Sequence, residues 1–61
     1  MEINYRKLRL ELGLQQKQLA EKTNLSVNTI TRIETYKVDP KLSNVCNILN
    51  TLGYELVLKK K

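Results

Sequence analysis

The strongest constraint on this chain is where it is punctuated. Gly13, Thr23-Asn24, Asp39-Pro40 and Gly53 cut the 61 residues into short segments. Glycine and asparagine tolerate left-handed backbone, and proline cannot continue a helix from within. All segments but the last carry apolar residues at helical spacing. "NYRKLRLELG" reads as a first helix, with Asn4 as N-cap and Gly13 just past the end. Tyr5, Leu8 and Leu12 form its apolar stripe, and Leu10 falls off it. "LQQKQLAEKTN" reads as a second helix over residues 16–22, with Leu19 and Ala20 inward and Thr23-Asn24 ending it. Ser26 caps a third helix whose Ile30 and Ile33 face inward. "YKVDPKL" is a loop in which Asp39 caps and Pro40 opens a fourth helix running to about Leu52. Leu42, Val45, Ile48, Leu49 and Leu52 are its apolar face. After Gly53 the period changes. Tyr54, Leu56 and Leu58 alternate with Glu55, Val57 and Lys59, which is a strand pattern.

That last segment has nothing to pair with, since no other stretch looks like a strand. The chain is also one small domain. Domains of about 60 residues bury only about 60% of their unfolded surface. Cys46 is the sole cysteine, so no internal disulfide forms, and without histidine a zinc site is not expected. A second copy of the chain, paired through the final strand, is the remaining stabilising device.

The charge narrows the partner. Eleven Lys+Arg against six Asp+Glu give a net +5, a balance that suits a polyanion such as nucleic acid. No apolar run reaches the length of a membrane span, and "MEINYRKLRLELG" lacks the apolar core of a signal peptide. A cytoplasmic protein with no membrane partner is expected. An enzyme is not: there is no histidine for general-base work, the six carboxylates show no acid-base pairing, and Cys46 in "NVCNIL" reads as a small packing residue. No cofactor or metal is expected.

Residues 26–34, "SVNTITRIE", form a reluctant helix. Val27, Thr29, Ile30, Thr31 and Ile33 are β-branched and lose side-chain freedom in a helix. At about 100° per residue, Ile30 and Ile33 point inward while Asn28, Thr31 and Arg32 point outward, with Val27 and Thr29 on the flanks. An ordinary exposed face would favour Glu, Lys, Gln and Ala. Asn, Arg and the methyls of Thr and Val instead suit the edges of adenine, guanine and thymine.

The stretch "RLELGLQQKQLAEKTNLSVNTITRIE" resembles the helix-turn-helix of the phage Cro and repressor type, the XRE-like family of bacterial regulators. The matching features are Arg9, "LGL" at 12–14, Gln16, Leu19-Ala20, Leu25-Ser26, Ile30 and "RIE" at 32–34. The loop and fourth helix extend the likeness to about Leu52. The resemblance implies an all-α, lambda-repressor-like domain of about four short helices over residues 1–53. Residues 54–61 follow it as a dimerisation strand and basic tail. It implies base-reading roles for Val27, Asn28, Thr31 and Arg32 in the major groove of double-stranded DNA. It places Gln16, at the N-terminus of the second helix, together with Lys17, Thr29, Lys37 and Lys41 as DNA-backbone residues. Gln16 either bonds a phosphate or braces the third helix. Arg9 and Glu34 match a structural ion pair that ties the first helix to the end of the third.

Three positions depart from the family pattern. Gln15 stands where a Ser, Thr or Asn N-cap is expected, Asn24 replaces a turn glycine, and "TYKVD" lacks the common Gly or Asn after the glutamate. Finally, "LSNVCNILNTLGYELVL" is similar to the end of small persistence-type antitoxins, in which a final strand pairs across a homodimer. That likeness makes Tyr54, Leu56, Val57 and Leu58 the dimer strand. The expected function is a dimeric, sequence-specific transcriptional repressor of bacterial or phage origin reading an inverted repeat. The alternative is an antitoxin that binds a toxin protein and represses its own operon.

Overall fold

The computed structural model describes residues 3–61. Met1 and Glu2, the first two residues of the expected 1–53 domain, lie outside the described residues. Four helices follow in order: α1 (Tyr5–Glu11), α2 (Gln16–Thr23), α3 (Val27–Glu34) and α4 (Leu42–Thr51). Helix α2 packs against both α3 and α4, and α1 packs against α3.

Leu19, Ile30, Ile33 and Ile48 are fully buried where these helices meet, and Tyr5, Ala20, Val45, Leu49 and Leu52 complete the core. The packing explains how α3 holds. Relative to alanine, each β-branched residue costs a few tenths of a kcal/mol in a helix. Burying Ile30 and Ile33 contributes about 1.5–3 kcal/mol apiece, so burial wins. Ser26 adds a cap, its hydroxyl accepting from the Thr29 N–H at 3.0 Å.

All four helices end in the same way. A left-handed residue follows each: Gly13 (φ 69), Asn24 (φ 61), Tyr36 (φ 58) and Gly53 (φ 90). The amide after it reaches back to the last turn, with Leu14 to Arg9, Leu25 to Ala20, Lys37 to Arg32 and Tyr54 to Leu49. These are Schellman-type closures, which satisfy the otherwise unpaired carbonyls. Tyr36 therefore takes the role the missing Gly or Asn would have filled, in a conformation that disfavours a side chain. Its hydroxyl donates to the Ile3 carbonyl at 3.0 Å, anchoring the loop to the N-terminal segment. Tyr36 also lies near Tyr5, whose phenol is pushed above its usual 10.0 first by burial and then by that neighbour.

The structure corrects four expectations about packing and boundaries. Leu12 is exposed, because α1 ends at Glu11 and the left-handed turn at Gly13 brings Leu14 to the core in its place. Leu42 is exposed as the first residue of α4, where the helix has not yet reached its neighbours. Asp39 does not cap α4, and Pro40 is not its first residue. Lys41 is the N-cap, with no side-chain cap bond. A proline φ serves extended backbone as well as helix, so Asp-Pro marked the break without fixing the start. Helix α2 runs one residue further than expected, to Thr23, whose hydroxyl donates to the Leu19 carbonyl at 2.8 Å.

The expected strand through Tyr54, Leu56, Val57 and Leu58 does not form in the single chain, and no strand occurs among the described residues. A strand needs a second backbone to bond, and no other segment offers one. Leu56 instead packs against the core, while Val57 and Leu58 are exposed.

Candidate nucleic-acid interface

The turn between α2 and α3 determines which side of α3 is free. With Asn24 left-handed, Leu25 tucks partly into the core and Ser26 starts α3 at once. Ile30 and Ile33 then face α2, and Val27, Asn28 and Arg32 stand exposed on the far side, with Thr29 and Thr31 half-buried at its edges. Asn28 and Arg32 form no side-chain hydrogen bond or ion pair within the described residues. Their donors and acceptors are available to a ligand.

Thr29 is occupied locally. Its hydroxyl lies 2.8 Å from that of Ser26, within the cap of α3. Lys37 stands three residues past the end of α3, its amide tied to the Arg32 carbonyl at 2.9 Å and its side chain exposed. Lys17 is exposed on the first turn of α2. Lys41 is exposed at the start of α4, and no hydrogen bond or ion pair links its side chain to α3.

Beneath this face runs a buried polar cluster. Arg9 Nε donates to Glu34 Oε2 at 2.6 Å and Nη2 donates to Oε1 at 3.1 Å, a two-point pairing. Both side chains are nearly shielded from water, at 7% and 2% exposure. Arg9 Nη1 also donates to the Leu14 carbonyl at 2.7 Å, pinning the α1–α2 turn. Gln16 Nε2 donates to Glu34 Oε1 at 3.1 Å, and Thr31 Oγ1 donates to Gln16 Oε1 at 3.1 Å. In the free chain the Gln16 side chain thus braces helix α3. One cluster joins α1, the α1–α2 turn, the start of α2 and the second half of α3.

The helix starts are electrostatically bare. No acidic residue stands in the first turn of α2 or α3. Glu or Asp is ordinarily favoured there by the partial positive charge of the unpaired amides, which here is left for an external anion. Gln15 and Gln18 stand as a capping box at the start of α2, the Gln15 amide donating to Gln18 Oε1 at 2.8 Å. Gln18 was not among the expected site residues. Its position three residues after the N-cap is the capping-box spacing and was the signal for it. The partners of Gln16 had no such signal, because they come from α3. No group of three potential metal ligands occurs among the described residues. No helix among them is long and apolar enough to cross a membrane.

A family model described as helix-turn-helix matches residues 6–59. No curated protein and no solved structure matches the chain.

Proposed function

The chain belongs to the helix-turn-helix family of the Cro and repressor (XRE) type and is a DNA-binding transcription regulator, and from that premise we propose that it is a dimeric repressor. Helix α3 enters the major groove, and Asn28 and Arg32 read base edges by paired hydrogen bonds. Val27 and Thr31 contribute methyl contacts. Lys37 and the amide end of α2 meet phosphates, with Lys17, Thr29 and Lys41 as further backbone positions. Arg9 and Glu34 stay off the DNA and hold the two helices in register.

The observation that carries this reading is the exposed Asn28–Arg32 face. It stands beside two helix starts that have no acidic residue in their first turns.

Two copies would place their α3 helices about 34 Å apart, one turn of B-DNA, and read an inverted repeat. The exposed Val57 and Leu58, on backbone outside any helix, support pairing of residues 54–58 with the same segment of a second copy.

A binding selection from a randomised duplex library, at about physiological salt, tests the proposal. Enrichment of an inverted repeat with half-sites about one helical turn apart is expected. Within that site, Arg32→Ala should relax one base position. Lys37→Ala should weaken all duplexes alike and flatten the salt slope. Binding that enriches no sequence and vanishes as salt rises would leave phosphate attraction alone. It would turn attention to a protein partner.

A further inference from the structure

The buried cluster has a polarity, and that polarity reaches the reading face. Glu34 is a carboxylate and can only accept hydrogen bonds. Gln16 must therefore turn its NH2 toward Glu34 Oε1, 3.1 Å away, since its carbonyl oxygen there would face a negative charge. The amide carbonyl is left facing Thr31, whose Oγ1 lies 3.1 Å from Gln16 Oε1 and 3.0 Å from the Val27 carbonyl. Both neighbours of the hydroxyl are acceptors. Its single proton is held inside the protein whichever of them takes it. Toward solvent, Thr31 presents only lone pairs and a methyl group.

We infer that Glu34 and Gln16 are positioning residues that make Thr31 a hydrogen-bond acceptor toward DNA. Thr31 then selects, at the base it meets, an exocyclic amine: adenine N6 or cytosine N4. Guanine, which offers the major groove only the acceptors N7 and O6, is rejected there. Specificity at one base is thereby set in part by two side chains that need not touch it. Arg9 secures the arrangement by holding the carboxylate of Glu34 through Nε and Nη2. The inference rests on the reading of α3 as the base-reading helix.

The test is the same library selection, run on the wild type and on Thr31→Val, Gln16→Met and Glu34→Gln. The wild type should enrich adenine or cytosine at the position concerned. Thr31→Val keeps a methyl and loses the hydroxyl. It should lower that preference about three- to tenfold, the worth of one hydrogen bond, at that base and no other. Gln16→Met leaves the ion pair whole and should relax the same base partway. Glu34→Gln, made together with Arg9→Met so that no buried charge is stranded, lets the Gln16 amide turn over and should relax it in the same direction. In a Thr31→Val background neither change should alter that base further. Selection of guanine or thymine, neither of which offers an amine in the major groove, at the base that Thr31→Val disturbs would overturn the inference. So would an unchanged site in Thr31→Val, or a uniform loss of affinity in Gln16→Met with every base preference intact. A wild type that enriches no sequence overturns the base-reading function itself, and this inference with it.

Discussion

At the scale of single residues, the burial of Arg9 and Glu34 dominates. Their pairing is shielded from water, and each also serves a second group, Leu14 for Arg9 and Gln16 for Glu34. Removing one partner strands a buried charge, which costs about 3–5 kcal/mol. That is comparable with the whole stability of a domain this small. Glu34→Ala should therefore be largely unfolded by circular dichroism, while the double replacement Arg9→Met with Glu34→Leu should retain more structure. Greater loss in the double variant would show that the pair stabilises in its own right. Tyr5 supplies a second test. Its pKa is raised in the fold by burial and by Tyr36. The folded state thus holds the phenol proton more tightly than the unfolded one. This contribution is fully present below the usual value of 10.0 and is lost as pH rises through the folded value. Urea midpoints measured from pH 8 to 11.5 should fall less steeply for Tyr5→Phe than for the wild type.

At the scale of elements, the helices are short and their ends matter. None exceeds ten residues, a length at which an isolated helix is not stable in water. Each is held by its buried stripe and closed by a left-handed residue. Two of the four closures are not glycine. Asn24 pays the smaller penalty because a short amide tolerates that region better than most side chains. Asn24→Gly should raise stability by up to about 1 kcal/mol and Asn24→Ala should lower it by a similar amount. Denaturant midpoints check both. Equal stability in the two variants would mean the turn is set by its neighbours. Tyr36 differs, since replacing it with glycine relieves the backbone but removes the bond to Ile3.

At the scale of the whole molecule, stability and binding meet in the C-terminal segment. Tyr54 closes α4 through its amide and Leu56 packs on the core, whereas Val57 and Leu58 stand clear of it. Two variants separate folding from the proposed pairing. Truncation after Gly53 should give a monomer by sedimentation, with lower stability and much weaker DNA binding. Val57→Asp with Leu58→Asp should also give a monomer, yet keep the thermal midpoint of the unassociated chain. A dimer that survives both changes would remove the segment from the proposed interface.

The sequence by itself determined the number and order of the helices, because breakers and 3.6-residue periodicity are local properties that neighbours only refine. It also showed the unusual outward chemistry of Val27, Asn28, Thr31 and Arg32, since a helix with two buried isoleucines has only one side left for them. Tertiary structure decided the rest. It set the start of α4 at Leu42, two residues past Pro40, where no local signal marks the entry. It left Leu12 and Leu42 outside the core, because a stripe is buried only where another helix lies opposite it. It turned Gln16 inward, since the partners that orient its amide lie 15 and 18 residues away on α3. A hydrogen bond between helices depends on how they cross, and that depends on every core residue at once.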